Sequence, residues 1–437
     1  MRSLSTPRAR LHRGFWAAFA IVLALLGARP SQAEDLALAD VVRLALANNE
    51  RSRIAELSHE SAEAAVARAR AGFLPVLNLG ANETLRPGAV EQNGRLVARS
   101  NAAAATLTVN QPLLVVTAFP LYAAAKHSEQ AARYDETNER RQLCFDASRA
   151  FFGLIAQQRV LTAAQHRLER AEATLSDTRA RAEAQLVSVN DVTRAQVDRA
   201  SAAQSVASAQ GALEQARVSL AYVINAEVEG SARLPDQELT NFQLDMAPLS
   251  NVALATRPDL AASREAASAA AASADEPGLR FIPTLTASAQ GRTADQTVVG
   301  DRYIDTTLTL NLSWSIWDAG VRAADARSRS AAATSATLEV QALRRRIGAD
   351  VAAAIAELTA ARASLAAAKE GLDAANRNAE ETTVLYRQGL AKAIELVDSN
   401  LSRFDAEIAL AAAQLSVRQA ELDLRAAMGL FPIDGIQ

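Results

Sequence analysis

The chain has 437 residues, a formal net charge of −3 and only 4% aromatic residues. So few aromatics exclude large interlocking cores, and the mildly acidic balance excludes a nucleic-acid footprint. The abundance of Ala with Arg, Leu, Glu and Ser points instead to close-packed long helices.

At the start, Arg2, Arg8, Arg10 and Arg13 precede the apolar run Phe15 to Leu26, and Ser31-Gln32-Ala33 offers small residues before a cut. Residues 1–33 read as a secretory signal peptide, cleaved after Ala33 to leave Glu34 first. Losing the leader's five Arg takes the net charge to −8. Its apolar core is too short to span a bilayer, and no other run approaches 18 consecutive apolar residues, so the reading has no transmembrane helix. A membrane role then requires β-strands. Cys144, the only cysteine, cannot form an intrachain disulfide and does not follow the cut, so lipid attachment there is not supported. It reads as an inert helix-packing residue.

The rest of the chain reads as two similar halves. The first repeat, 34–230, predicts a helix over 36–72, a strand hairpin over 73–115, a long helix over 118–185, a turn and a returning helix over 190–226. Pro120 falls in the first turn of the long helix, where proline is tolerated. A connector follows over 226–250, with Gly230, Pro235 and Pro248. The second repeat, 251–428, predicts a helix, a hairpin over 281–317, a long helix over 319–387, a turn and a helix over 391–428. An irregular tail, 429–437, carries Pro432 and Gly435.

Three matches carry the duplication. Gly72-Phe73-Leu74-Pro75 recurs 208 residues later as Arg280-Phe281-Ile282-Pro283, and Thr106-Leu107-Thr108-Val109-Asn110 recurs 201 later as Thr307-Leu308-Thr309-Leu310-Asn311. Ala184-Gln185-Leu186 with Asp191-Val192 recurs 204 later as Gln388-Gly389-Leu390 with Glu395-Leu396. Each long helix, at about 1.5 Å per residue, spans roughly 100 Å. The two shorter helices of a repeat together match that length, so end-to-end stacking would give four helical columns per chain.

The strands alternate apolar and small polar residues. Leu308, Leu310, Leu312, Trp314 and Ile316 alternate with Thr307, Thr309, Asn311, Ser313 and Ser315. Leu107 and Val109 alternate with Thr106, Thr108 and Asn110, and Leu77 and Leu79 flank Asn78. One face suits lipid and the other water, at membrane-crossing length. Trp314, Trp317 and Tyr303 would supply an interfacial belt. The connections Arg86 to Ser100 and Arg292 to Arg302 would be exposed outer loops. Four strands cannot close a membrane barrel, so several chains must share one.

The last helix carries two apolar seams. Ile394, Val397, Leu401, Phe404, Ile408, Ala411, Leu415 and Leu422 form one, broken at Arg418; Leu396, Leu410, Val417 and Leu424 form the other. Two seams on one helix require apolar neighbours on both sides.

This order of elements, with Gly72-Phe73-Leu74-Pro75, Gln111-Pro112-Leu113, Arg257-Pro258-Asp259-Leu260, Trp317-Asp318-Ala319-Gly320 and Tyr386-Arg387-Gln388-Gly389-Leu390, resembles the TolC-like outer membrane efflux proteins. The resemblance covers about Leu36 to Met428. It implies a mainly α chain that forms, as a homotrimer, a 12-stranded outer-membrane β-barrel continuous with a long α-helical barrel. The implied function is the exit duct of a tripartite efflux or type I secretion system in the outer membrane of a Gram-negative bacterium. Implied partners are a periplasmic adaptor, or membrane fusion protein, an inner-membrane pump of RND, ABC or MFS type, and outer-membrane lipid. The cargo, whether drug, metal ion or protein, lies with the pump.

Carried over by position, the resemblance makes Glu395 and Asp398 acidic rings at the periplasmic aperture. It makes Tyr386 and Asp191 partners of a closed-state link. It makes Gln185-Leu186-Val187 and Gly389-Leu390-Ala391 the turns that adaptors contact. Ala391 stands where some relatives have an arginine that makes a second link, and Gln185 where many have glycine. The ordinary alternative for Glu395 and Asp398 is a solvated helix face, and for Tyr386 simple packing.

His59, His127 and His166 fall on helices far apart in sequence and read as surface or packing residues, with no metal and no cofactor expected. No nucleophile elbow, phosphate loop or metal-ligand spacing points to an enzyme. Two rival functions stay open. A periplasmic adaptor or structural coiled coil would have one hairpin and no lipid-facing strands; a receptor or secretion scaffold would not conduct.

Overall fold

The computed structural model describes residues 36–98, 100–228, 230–233, 244–294 and 304–435. The signal peptide, Glu34 and Tyr303 lie outside the described residues. In chain order come α1 (Leu38–Asn48), α2 (Glu50–Ala71), β1 (Val76–Leu85), β2 (Val90–Gln92), β3 (Arg95–Ala98), β4 (Asn101–Leu114), α3 (Ala118–Glu183) and α4 (Val189–Ile224). Then follow α5 (Met246–Thr256), α6 (Pro258–Ala274), α7 (Glu276–Leu279), β5 (Thr284–Ala294), β6 (Ile304–Ser313), α8 (Val321–Arg387) and α9 (Ala393–Ala427).

The leading helix of each half is interrupted, where the sequence predicts one continuous helix. Asn49 is extended (φ −79°, ψ 132°), and its side chain accepts from Arg51 N to cap α2. Arg257 is extended (φ −67°, ψ 117°) because Pro258 follows it and disfavours the helical region. The breaks serve the joints between stacked helices. Asn49 donates to the Val223 carbonyl (2.8 Å) and Asn225 to the Asn48 carbonyl (3.1 Å), seating α2 on the end of α4. Thr256 and Arg257 donate to the Met428 and Ala427 carbonyls, seating α6 on the end of α9.

Four columns result. α3 packs against α4 and α2 on one side and against α9 and α6 on the other, and α8 packs against α9, α6 and α5. Column order is therefore α4/α2, α3, α9/α6, α8. The two seams of α9 separate as their spacing requires. Leu415 and Leu422 join the core built on α1, α3 and α4, with Phe151, Phe152 and Leu154, while Phe404 and Ile408 meet Ala163 and Ala164 of α3. Val417 and Leu424 join Ile347, Val351 and Leu358 of α8, and Leu396 meets Tyr386.

One expectation about α8 needs correction. An 18-residue window of this helix reaches a mean hydropathy of 1.4, enough by length and composition for a membrane span. Counting unbroken apolar runs missed it because alanine raises hydropathy while scattered polar residues interrupt the run. Its Ile347, Val351 and Leu358 are buried against α9 and α5.

The sheet order is β1-β4-β5-β6, antiparallel throughout, so the two hairpins join through β4 and β5. Register aligns the faces: Leu79 opposes Leu107, Leu77 opposes Val109, Val109 opposes Ala289, and Ala289 opposes Leu308. On the reverse face Asn78 opposes Thr108, Thr108 opposes Gln290, and Gln290 opposes Thr307. There Ser288 bonds Asn110 at 2.6 Å. The apolar face is bare: Leu79 is 77% exposed and Leu308 76%.

Two strand readings change. β6 ends at Ser313, so Trp314 and Ile316 lie beyond the strand; the Trp314 indole donates to the Phe281 carbonyl (3.0 Å), and β5 starts only at Thr284, after Pro283. The connection from Arg86 to Ser100 contains its own hairpin, β2 to β3, turning on Asn93 and Gly94 (φ 53° and 72°). Asn-Gly tolerates that left-handed pair. The stretch 226–250 is likewise not wholly irregular: α5 begins at Met246, and Leu36 pairs with Ala232 in a parallel bridge.

Candidate functional site: the two helical turns

Each long helix ends in the same way. In the first turn Leu186 N donates to Arg181 O (2.8 Å) and Gln185 N to Ala182 O (2.9 Å); in the second Leu390 N donates to Leu385 O (2.9 Å) and Gly389 N to Tyr386 O (3.0 Å). These bonds satisfy the last carbonyls and require a left-handed residue after the helix. Gln185 (φ 60°) and Gly389 (φ 78°) supply it. Gln185 carries a left-handed strain of roughly 1–2 kcal/mol that Gly389 avoids. The following leucines point outward, Leu186 74% and Leu390 73% exposed. Between the turns lies a cleft of about 830 Å³, lined by Arg181, Leu186, Asp191, Arg194, Tyr386 and Lys392 among others.

Within this chain Tyr386 and Asp191 share no direct hydrogen bond, and each has another partner. Asp191 Oδ2 accepts from Ser188 N (3.1 Å) and Ser188 Oγ (2.8 Å), closing a capping box at the start of α4. Tyr386 is 4% exposed, and its hydroxyl lies 3.1 Å from Thr178 Oγ1. Thr178 spends its own proton on the Thr174 carbonyl (2.8 Å), so Tyr386 is the donor.

Arg181 makes the tie between the turns. It donates to the carbonyls of Tyr386 (3.1 Å) and Arg387 (3.2 Å), lies 4.8 Å from the Tyr386 ring centre, and is itself held by Asp177 (3.0 Å). A cation here meets the negative end of the α8 dipole. Sequence reasoning missed Arg181 and Thr178; a basic residue in the last turn of α3 was the available signal. Higher up, Arg170 reaches Glu407 (3.3 Å), which Arg403 also holds, and Arg167 covers the Phe404 ring at 5.0 Å.

Glu395 and Asp398 both sit exposed at the start of α9. Glu395 accepts from Lys392 N (3.2 Å), so it caps its own helix as well as facing solvent. Cys144 is buried, and burial pushes its thiol up to about 12, which keeps it protonated and unreactive.

Comparison with known proteins decides the family. The model of the outer membrane efflux protein family matches residues 41–226 and 249–430. The chain belongs to that family. This family member also superposes on solved outer membrane channels of the TolC type. CusC matches with a TM-score of 0.81 at 18% identity, covering 91% of this chain and 93% of that one. The Campylobacter jejuni CmeC channel matches at 0.79 and 17% identity, covering 98% and 94%. The Neisseria gonorrhoeae MtrE channel, solved in its open state, matches at 0.78 and 22% identity, covering 92% and 90%. No curated protein matches the chain.

Proposed function

We propose that this family member is the outer-membrane exit duct of a tripartite efflux or secretion assembly. One observation carries the reading. A four-stranded sheet with an exposed apolar face and a polar reverse face runs directly into four helical columns with open edges. Lipid would cover the bare face of such a sheet, closure would satisfy its edges, and three copies supply the twelve strands of one barrel. The helices close in the same way. The edge column α4 leaves Val189, Val197, Val218 and Tyr222 exposed, an apolar stripe suited to α8 of a neighbouring copy. The recurrence of break, long helix and turn in both halves supports a tandem duplication.

In this trimer Glu395 and Asp398 of three chains ring the periplasmic aperture. Two carboxylates about 6 Å apart in water repel by only ~0.7 kcal/mol, so the rings select ions and do not hold the pore shut. Closure rests on Arg181, Tyr386, Thr178 and the seams of α9. The exposed Leu186 and Leu390, with the cleft between their turns, receive the hairpin tip of a periplasmic adaptor. Lipid contacts Leu77, Leu79, Leu107, Val109, Leu308, Leu310 and Leu312. The cargo is set by the inner-membrane pump.

The test is single-channel recording of purified protein in planar bilayers. Trimeric insertion with cation-selective conductance is expected, and Glu395→Ala with Asp398→Ala should weaken block by multivalent cations at least several-fold. A soluble monomer without conductance would overturn the duct, and unaltered block would remove the two carboxylates from the aperture.

A further inference from the structure

Helix α2 is held weakly by apolar contact: of its 22 residues only Ala55 is buried. Its attachment to α3 runs through polar groups. Arg51 reaches Asp146 (2.7 Å) and Glu139 (3.3 Å), and two turns on, His59 enters a cluster of carboxylates. His59 Nε2 lies 3.0 Å from Glu129 and 3.7 Å from Glu63, while Nδ1 lies 3.0 Å from Glu136. The His59, Glu129 and Glu136 side chains are each about three-quarters or more buried, and Glu63 is the open member.

We propose that His59, Glu63 and Glu129 bind a borderline divalent transition cation, with zinc as the test ion, and that Glu136 orients the histidine. Four features of the cluster carry this. First, one ligand atom from each of the three residues lies within 4.8 Å of the others. A tetrahedral zinc with bonds of about 2.1 Å needs ligand atoms about 3.4 Å apart, and the observed 3.0 and 3.7 Å bracket that spacing. Second, His59 and Glu63 are four residues apart and share one face of α2, the arrangement in which a helix offers two ligands at once. Third, Nδ1 lies 3.0 Å from Glu136, so a cation that displaces the Nε2 proton now facing Glu129 leaves the tautomer in which Nδ1–H donates to Glu136 and Nε2 faces the metal; this carboxylate-to-histidine support is typical of metal sites. Fourth, the donor set of one imidazole nitrogen and two carboxylates, with a position left for water, suits zinc and its neighbours rather than magnesium or calcium. The cation would take the place of the imidazole proton and neutralise the facing acids. It would cross-link α2 to α3 on the sheet-side half of the column.

The experiment is a zinc chloride titration of the purified full-length protein in detergent, after chelator treatment, read as bound zinc per chain and as affinity. One site per chain is expected. Glu63→Gln, at an exposed position that does not disturb packing, should weaken it at least tenfold, Glu136→Gln about tenfold, and His59→Ala should abolish it. Zinc held at Glu395 and Asp398 is told apart because His59→Ala leaves it in place. No zinc retained by the wild-type chain at about 100 μM, or equal stoichiometry and affinity in wild type and Glu63→Gln, overturns the proposal. So does displacement of zinc by millimolar magnesium.

Discussion

Replacing Arg181 with Met removes the tie between the two turns while keeping the bulk of the side chain. Two hydrogen bonds to the α8 carbonyls are lost, at 3.1 and 3.2 Å, together with a cation over the Tyr386 ring at 4.8 Å. Net bonds of this kind contribute about 0.5–1.5 kcal/mol each and the ring contact about 0.5–1. The Arg181 side chain is 21% exposed, so solvent screening trims the total to about 2 kcal/mol per chain. That is roughly a 30-fold rise in the opening equilibrium of the α8–α9 turn. The readout is amide hydrogen exchange at Gly389, Leu390 and Ala391, whose N–H groups donate to Tyr386 and Leu385 carbonyls. Arg181→Met should speed their exchange 10- to 50-fold, whereas Arg179→Met, on the exposed side of α3, should not. Unchanged exchange in Arg181→Met would refute the latch. Asp191→Ala should loosen only the first turn of α4, by about 1 kcal/mol as a lost cap; equal acceleration at Gly389 to Ala391 would restore a direct partnership of Asp191 with Tyr386.

Four further outcomes are expected. At Gly429 (φ 77°) an added Cβ would fall 2.8 Å from Arg257 N and Cα, so Gly429→Ala should lower the thermal midpoint by several degrees. Gly389→Ala (φ 78°), which meets open space, should cost only about 1 kcal/mol. On the sheet, Leu310→Arg places a charge on the bare apolar face and should cost roughly 2–4 kcal/mol in lipid, reducing assembled protein in outer-membrane fractions, whereas Thr309→Arg on the reverse face should be tolerated. Equal loss in both would contradict the assignment of faces. Finally, the hydrogen bond to Glu129 raises the His59 imidazole above its ordinary pKa, partly offset by burial and helped by Glu136. With metal chelated, its stabilisation should be full below about pH 6.5 and fall as pH rises through the raised value. The difference in thermal midpoint between wild type and His59→Gln should therefore shrink from pH 6 to pH 8.5; a pH-independent difference would contradict this.

Much of the architecture follows from short-range signals. A period of two marks the strands, a run without proline marks α8, and both turns fall where Gln185 and Gly389 need left-handed backbone, because these constraints act within a few residues. The capping box of Ser188 and Asp191 is equally local and equally legible, yet positional likeness to other channels assigned Asp191 elsewhere. The breaks at Asn49 and Arg257 show less plainly, since Asn49 leaves the helix to meet the end of α4, about 175 residues away in sequence.

What the sequence by itself determined is the two long helices, their reversals and the alternating faces of the strands, because each depends on neighbours along one helix or strand. Only the tertiary structure decided which groups meet across elements. Tyr386 pairs with Thr178, 208 residues distant, and His59 meets Glu129 and Glu136 because α2 and α3 lie in one particular axial register. Packing along the whole column sets that register, and a shift of one helical turn, about 5.4 Å, would leave every one of these side chains facing a different partner.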